Sequence, residues 1–328
     1  NDTQISNHEK FKYLSFIRAA ISFSKAKSNI DALVLDNRKA ILPGLFVMKK
    51  VNPRMVILDC RELYFINEVH TIQGKLGCLL EKYLIPKADV VICANRERAS
   101  IMSEEYRLRR KPLVFENIRK LTCSNNFDSA VLKEKYKEII NGDSFNIIST
   151  AGCNLTQATD VLVKNIGRVE RDVRLLLVGN CDSKDEKVIR KIIKNKNLTN
   201  VYILGKVAQD ELKYLLSLSD IGIVSYSQEG RNNKYCASGK VFEYINEGLP
   251  IVTTTNPPLK NLCDTESIGI ADDTFADGIN RILANYDYYK EKVIAFAKNR
   301  TVENNNDNLA RNIEDIIQSN DAKKIGLN

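Results

Sequence analysis

The stretch "VYILGKVAQDELKYLLSLSDIGIVSYS", residues 201–227, decides the fold class because it holds two apolar runs with a helical pattern between them. The runs "VYILGKV" and "IGIVSYS" are almost continuously apolar, which is typical of strands buried on both faces. The segment "QDELKYLLSLS" has the apolar spacing of an amphipathic helix. A strand, a crossover helix and a second strand form a βαβ unit, so this stretch predicts a parallel sheet.

The same rhythm continues on both sides of this stretch. In the second half, further strands are predicted at "FNIIST", "VRLLLVGN", "PIVTTT" and "IGIAD". In the first half they are predicted at "DALVLDN", "RMVILDC", "ADVVICA" and "KPLVFEN", with helices at "EKFKYLSFIRAAISFSKAK" and "QGKLGCLLEKYLIPKA". We therefore predict an α/β protein of two Rossmann-like domains with parallel sheets, whose ligand binds at the carboxyl ends of the strands in the cleft between the domains.

A polar stretch, "LTCSNNFD" at residues 121–128, marks the boundary between the predicted domains. We expect an N-terminal domain over residues 1–121, a linker and helix over 122–142, and a C-terminal domain over 143–328. The last helix is expected to pack back on the N-terminal domain. The first domain begins with a helix and has no opening strand with a Gly-rich turn, so we expect that its first βαβ unit is missing from this chain.

The composition is that of an ordinary globular protein. Hydrophobic residues make up 44% of the 328 residues and charged residues 27%. No apolar run approaches the roughly 20 residues that span a bilayer. The eight cysteines form no C-x-x-C pair, and the two histidines are His8 and His70, which argues against a structural zinc site and a disulfide framework. Reduced thiols in a cytoplasmic protein are the expectation.

The positive charge is concentrated in the first half of the chain. Residues 1–150 hold 25 Lys and Arg against 17 Asp and Glu, whereas residues 151–328 hold 24 of each. A basic half is suited to an anionic membrane, an anionic substrate or nucleic acid, although its interspersed acids fit a plain solvated surface equally well. No recognisable nucleic-acid-binding module is present, which makes that partner the least supported.

The stretch "SGKVFEYINEGLPIV", residues 238–252, carries the candidate chemistry. A helix that begins near Gly239 would point free amides and its positive dipole end out of the sheet, where Ser238 and Lys240 could meet a diphosphate. Glu243, one turn further on, could accept both hydroxyls of a ribose. The alternative is that Ser238 caps the helix and Glu243 complements its dipole.

Two familiar phosphate-binding motifs are excluded by the residues around this stretch. A P-loop requires Gly five positions before Gly239, where Lys234 stands, and Ser or Thr after Lys240, where Val241 stands. A G-x-G-x-x-G turn is absent as well, which argues against a dinucleotide-dependent dehydrogenase.

The same stretch resembles the nucleotide-sugar signature of GT-B glycosyltransferases, in particular the retaining enzymes of family four that act in bacterial polysaccharide and capsule synthesis. The segments "VRLLLVGN", "VYILGKVAQDELKYLLSLSDIGIVSY", "VILDCREL" and "LLEKYLIPKADVVICANRERASIM" are similar to other segments of that family. The resemblance therefore extends over nearly the whole chain.

This resemblance implies an enzyme that moves a sugar from a nucleoside-diphosphate sugar to a saccharide or lipid-linked saccharide acceptor, with retention and without a metal or other cofactor. Lys240 and Glu243 would be its catalytic residues. The expected substrate-binding positions are His70, Gly152, Gly205, Lys206, Val207, Tyr235, Ser238, Gly239, Lys240, Val241 and Glu243. The expected location is the cytoplasm at the inner face of the membrane, with peripheral contact through the basic first half.

Departures from the family pattern leave alternatives open. The first turn of the second domain, "AGCNLTQATD", lacks the Arg and Lys that family members commonly carry there. Arg231 and Lys234 are candidate substitutes for those two cations. Tyr235 stands where many members have an acid, and Glu229 is a candidate for that acid in a displaced position. A non-catalytic sugar-nucleotide sensor or partner subunit and, with less support, a sugar-nucleotide epimerase are the competing hypotheses. The sequence does not name the sugar, the base, the acceptor or the linkage.

Overall fold

The computed structural model describes residues 12–26, 29–122, 128–140 and 142–324. His8 and most of the predicted boundary stretch lie outside the described residues. The chain divides into two compact units. Unit 1 consists of Asn1–Glu116, Gly230–Asn232 and Asn306–Asn328, and unit 2 consists of Asn117–Glu229 and Asn233–Asn305. The units therefore divide five residues earlier than the predicted end of the first domain at residue 121.

The described residues form ten strands and fourteen α-helices. The strands are β1 (Ala32–Asp36), β2 (Met55–Cys60), β3 (Val90–Cys93), β4 (Leu113–Val114), β5 (Phe145–Ser149), β6 (Val173–Val178), β7 (Val201–Gly205), β8 (Ile221–Val224), β9 (Ile251–Thr253) and β10 (Gly269–Ala271). The helices are α1 (Lys12–Ala26), α2 (Ile41–Val51), α3 (Ile72–Leu84), α4 (Arg96–Glu105), α5 (Ser129–Tyr136), α6 (Thr159–Asn165), α7 (Ser183–Asn195), α8 (Gln209–Ser217), α9 (Arg231–Lys234), α10 (Gly239–Asn246), α11 (Pro257–Glu266), α12 (Ala276–Ala284), α13 (Tyr286–Asn299) and α14 (Val302–Lys324). Short 3-10 turns lie at Arg38–Ala40, Ile66–Glu68, Ile85–Lys87, Leu155–Gln157 and Ile166–Arg168.

Unit 1 is built on a parallel sheet with the strand order β1-β2-β3-β4. The part of α14 that belongs to unit 1 covers one face of this sheet: Leu309, Ile313 and Ile316 pack against apolar side chains of β2 and β3. Those three positions share one face of a helix, which is why a helix with a largely polar sequence still packs against a sheet. Val47 and Val51 of α2 pack with Ala20 of α1 in a second cluster.

Unit 2 is built on a six-stranded parallel sheet with the order β10-β9-β8-β5-β6-β7. All six residues of β6 are buried: alternate side chains enter the apolar clusters on the two faces of the sheet, Leu176 and Val178 on one and Val173, Leu175 and Leu177 on the other. Burial on both faces explains the unbroken apolar runs of the sequence. The prediction of two parallel-sheet, Rossmann-like domains is confirmed.

Among the described residues, no helix combines the length and the hydropathy that crossing a membrane requires.

Candidate functional site

The strand order of unit 2 reverses between the adjacent strands β5 and β8. From β5 the chain proceeds to β6 and β7 on one side, and from β8 it proceeds to β9 and β10 on the other. Open parallel sheets bind ligands at the carboxyl ends of the strands beside such a reversal. The turn that follows β5 and the N-terminus of α10, which connects β8 to β9, carry the candidate site.

Tyr244 positions α10 on the sheet. Its side chain is fully buried, and its ring lies so close to Gly222 of β8 that a Cβ atom there would be 2.3 Å from Tyr244 Cδ2. Its hydroxyl oxygen accepts a hydrogen bond of 2.9 Å from the backbone N–H of Thr150 and lies 2.9 Å from Thr150 Oγ1. One aromatic side chain therefore fixes the helix both to β8 and to the turn after β5.

Ser238 occupies the N-cap position of α10 but does not cap it. No side-chain cap bond is formed, and Ser238 Oγ is buried without a hydrogen-bond partner among the described residues. An unpartnered buried hydroxyl costs about 1–3 kcal/mol. The first amides of the helix have no intrahelical acceptor either. The capping alternative for Ser238 is therefore wrong, and the N-terminus of α10 presents unused donors.

Lys240 follows in the first turn of α10, where its ammonium group is largely buried. Its Nζ donates a hydrogen bond of 2.7 Å to Oε1 of Gln157, in the 3-10 turn at Leu155–Gln157. Burial lowers the pKa of Lys240 to about 8, and the charge of Glu243 only partly opposes that effect. Among the described residues, this cation has one hydrogen-bond acceptor, the neutral amide of Gln157, so an anion would stabilise it further.

Glu243 is half-buried one turn further along α10. Burial raises the pKa of this carboxyl group, and the charges of Arg119 and then Lys240 act in the opposite direction. Arg119 lies against the helix N-terminus, since a Cβ atom on Gly239 would be 2.7 Å from Arg119 Cδ and Nε. Its Nε donates a hydrogen bond of 3.1 Å to Oδ1 of Asn117. The exposed guanidinium group thus adds a second cation beside the first turn of α10.

Gly152 lies in the turn after β5 with a φ of 63°, and its position is sterically closed. A Cβ atom would be 2.2 Å from the carbonyl oxygen of Asn180, so only glycine permits the close approach of the two turns. Gly205, at the end of β7, also has a positive φ, of 69°, but no atom lies within 4 Å of a Cβ built there. The backbone conformation explains why glycine stands at both positions. The predicted contacts of Gly152 and Gly205 with substrate stay predictions.

The remaining predicted site residues of unit 2 differ in how far their side chains are exposed to solvent. Lys206 is exposed, whereas Val207 packs partly into the core. Val241 is 2% exposed and belongs to the core, so its side chain is closed to a ligand and only its backbone amide remains for the predicted contact. Tyr235 is half-buried, with the ammonium group of Lys234 5.8 Å from its ring centroid.

Two predicted residues belong to unit 1. His70 lies exposed just before α3. Arg231, a candidate substitute for the missing phosphate-binding cation, has its guanidinium carbon 4.5 Å from the ring centroid of Phe65 and its Nε 3.9 Å from Oε1 of Glu68. Its backbone N–H also donates to Glu68 Oε1, at 3.0 Å. The predicted phosphate contact would require the ion pair with Glu68 to open.

Sequence reasoning missed Arg119, Gln157 and Thr150. Gln157 stands within the turn where the family pattern has cations, so the sequence could have indicated that this residue lies near the phosphates. Its pairing with Lys240, 83 residues away, has no counterpart in local sequence. Arg119 lies in the segment before the predicted linker and could be connected with α10 only through the fold.

The two parallel-sheet units have the GT-B fold of glycosyltransferases, as comparison with solved structures shows. HepE from Anabaena, in complex with UDP and glucose, is 14% identical, with a TM-score of 0.70, over 95% of this chain and 85% of that one. Sucrose-phosphate synthase from Thermosynechococcus elongatus is 17% identical, with a TM-score of 0.66, over 94% and 78%. A glycosyltransferase from Rickettsia africae ESF-5 is 16% identical, with a TM-score of 0.68, over 97% and 84%.

The sequence of unit 2 matches a known family directly. The model of the family described as Glycosyl transferases group 1 matches residues 146–285, which include the whole of α10 and the turn after β5. A comparison with curated proteins found no match. The family match and the GT-B fold together support the prediction that the protein is a glycosyltransferase.

Proposed function

We propose that the protein transfers a sugar from a nucleoside-diphosphate sugar to an acceptor hydroxyl, with its donor bound at the N-terminus of α10. One observation carries this proposal: the buried ammonium group of Lys240 and the unpartnered hydroxyl of Ser238 stand together at the first turn of a helix, beside the strand reversal of the sheet. Backbone amides, a hydroxyl donor and a cation fit the oxygen atoms of a diphosphate.

In the proposed reaction, the bond between the anomeric carbon and the diphosphate oxygen breaks while the acceptor oxygen bonds to the same face of the sugar. Negative charge grows on the departing diphosphate, and Lys240 with the amides of α10 stabilises it without a metal ion. As in the retaining enzymes that the sequence resembles, the leaving phosphate takes the proton of the acceptor. The carboxylate of Glu243 accepts hydrogen bonds from the ribose hydroxyls, and the guanidinium group of Arg119 adds positive charge beside that carboxylate.

The proposed acceptor is a saccharide or lipid-linked saccharide of a bacterial surface polysaccharide, of the capsule type, handled in the cytoplasm at the inner face of the membrane. The sequence resemblance to family four enzymes and the positive charge of residues 1–150 support this finer assignment.

Donor turnover tests the proposal. The protein is incubated with a panel of nucleoside-diphosphate sugars, and release of the nucleotide and transfer or hydrolysis of the sugar are measured. We expect turnover of at least one donor, and its loss in Glu243→Ala. Glu247→Ala is the matched control, because Glu247 directly follows α10 and forms its own ion pair with Lys213, at 2.7 Å. This variant is expected to remain active.

The competing hypotheses predict other outcomes of the same assay. Binding of a nucleotide sugar without transfer or hydrolysis would favour a sensor or partner subunit, for which the absence of Arg and Lys from the turn after β5 is the motivating observation. Conversion of the donor into an epimer, with the nucleotide still attached, would favour an epimerase.

A further inference from the structure

Helix α3 of unit 1 has an apolar ridge on the side that faces solvent. Ile72, Leu76, Leu79 and Tyr83 are 88%, 50%, 53% and 58% exposed. At 3.6 residues per turn these positions fall within an arc of about 60°. We call these four residues the α3 ridge. An exposed helix face is ordinarily polar, so a continuous apolar ridge indicates a surface that is covered by something else.

The opposite side of α3 is the one that packs against the protein. Cys78, Glu81 and Leu84 are buried there, and the carboxylate of Glu81 is held by Arg38, with Arg38 Nε 2.6 Å from Glu81 Oε2 and Arg38 Nη2 2.9 Å from Oε1. The hydroxyl of Tyr106 donates to the same carboxylate, at 2.7 Å. Because this ion pair fixes which side of α3 faces inward, the ridge cannot be a core face turned outward by chance.

Positive charge borders the α3 ridge. Lys75 and Lys82 are exposed on one flank of the helix, and the ammonium group of Lys87 lies 3.3 Å from the ring centroid of Tyr83. The neighbouring helix α2 exposes Phe46, Lys49 and Lys50 on one face. On α2, α3 and the 3-10 turn after α3, the one carboxylate is the buried Glu81. An apolar ridge with a basic border and no exposed acid complements an anionic surface with an apolar interior.

We propose that the α3 ridge docks unit 1 onto an anionic phospholipid bilayer, with the four apolar side chains inserted at the level of the acyl chains and the lysines at the headgroups. The arrangement is that of an interfacial helix, in which long lysine side chains reach out to the headgroups and an aromatic residue sits at the boundary. A second copy of the same surface would place lysines against lysines, which disfavours self-association. The inference rests on the proposed lipid-linked acceptor for its purpose, but its observations lie entirely in unit 1.

Vesicle co-sedimentation tests the proposal, with phosphatidylcholine vesicles made with and without phosphatidylglycerol. The wild-type protein is expected to bind the anionic vesicles more tightly, and less so as salt is raised. In Leu76→Gln/Leu79→Gln, partition onto the vesicles should fall about five- to tenfold for each leucine. In Lys75→Gln/Lys82→Gln, it should fall about fivefold for each lysine on anionic vesicles and remain unchanged on neutral ones.

Unit 2 supplies matched control variants. Val188→Gln/Ile294→Gln removes two apolar side chains that are 41% and 44% exposed, and Lys191→Gln/Lys194→Gln removes two exposed lysines. Neither is expected to alter vesicle binding. Equal losses in the control and ridge variants, or no vesicle binding by the wild-type protein, would overturn the proposal. So would a dimer in sedimentation that the ridge variant converts to a monomer.

Nucleotide binding separates this proposal from the proposed function. The melting temperature is measured with a panel of UDP, GDP, ADP, CDP and dTDP. All variants are expected to keep the shift that the wild-type protein shows, which also shows that they are folded. Vesicle binding that depends on the ridge, without a response to any nucleotide of the panel, would uphold the membrane surface while refuting the donor site. A response to one of these nucleotides without vesicle binding would support the donor site and refute the membrane surface.

Discussion

Raising the pH through 8 removes the charge of Lys240 and thereby tests whether this ammonium group binds a diphosphate. Burial lowers the pKa of Lys240 to about 8, from an ordinary value of 10.5. A bound diphosphate favours the charged form and raises that pKa again. Below pH 8 the lysine is charged before and after binding, so the affinity is constant. Above it, binding requires uptake of a proton, so the affinity falls as the pH rises.

The size of the effect follows from the two pKa values. If the diphosphate restores the pKa of Lys240 to 10.5, the Kd for the nucleoside diphosphate rises about tenfold between about pH 7 and about pH 9. At about pH 9, about 0.9 proton is then taken up for each nucleoside diphosphate bound. Isothermal titration calorimetry in two buffers of different ionisation enthalpy measures both the Kd and the proton uptake.

Two variants of Lys240 isolate its contribution from that of other titrating groups. Lys240→Arg keeps its charge throughout this range, so the Kd of that variant should not change with pH. Lys240→Met should bind the nucleoside diphosphate about 10- to 100-fold more weakly than the wild-type protein does at pH 7, because a charge-assisted hydrogen bond is lost. Its Kd should not change with pH. A wild-type Kd that stays constant across pH 8, or a pH dependence that persists in Lys240→Arg, would refute the reasoning.

Denaturant unfolding of further variants separates structural from ligand-binding roles. Ser238→Ala should raise the free energy of unfolding by up to about 1–3 kcal/mol, because it removes an unpartnered buried hydroxyl. Asp182→Ala, which removes a working cap of α7, should lower the free energy of unfolding by about 1 kcal/mol. Equal losses in the two variants would restore the capping alternative. Gly152→Ala should lower the free energy of unfolding by about 3 kcal/mol or more, through backbone strain and steric overlap of the new methyl group with the Asn180 carbonyl. Gly205→Ala adds backbone strain alone and should lower it by about 1 kcal/mol. Similar losses in the two variants would contradict a sterically closed position at Gly152. Lys240→Met should raise the free energy of unfolding at neutral pH by up to about 3 kcal/mol, because the pKa of Lys240 is lower in the folded protein than in the unfolded chain. This gain should fade as the pH rises from 8 to 10.5, where the wild-type lysine loses its charge in the folded protein. An unchanged free energy of unfolding would contradict a buried charge.

Strands such as β6, whose six residues are all buried, were predictable because burial on both faces gives a nearly continuous apolar sequence. The helix at residues 239–246 was predictable for a related reason, since Tyr244 and its apolar neighbours recur at helical spacing. These are local patterns. They determine which elements form and, through the rule for parallel connections, the class of fold.

The chemistry of the site depended on contacts that no local pattern contains. Whether Ser238 caps its helix is decided by its side-chain environment, and the environment of Lys240 is set by Gln157 and by burial within unit 2. The exposure of the α3 ridge could not be predicted from a local pattern either. Leu76 and Leu84 are both apolar residues of one predicted helix, and only the packing of α3 shows which of them faces solvent.

The most direct test of the donor site is a crystal structure of the protein with a nucleoside diphosphate, chosen by a thermal-shift panel of nucleotides. The diphosphate is expected at the N-terminus of α10, within hydrogen-bond distance of Ser238 Oγ and Lys240 Nζ, with the ribose hydroxyls hydrogen-bonded to the carboxylate of Glu243. A nucleotide bound anywhere else, with Ser238 Oγ still unpartnered and Lys240 still on Gln157, would contradict it.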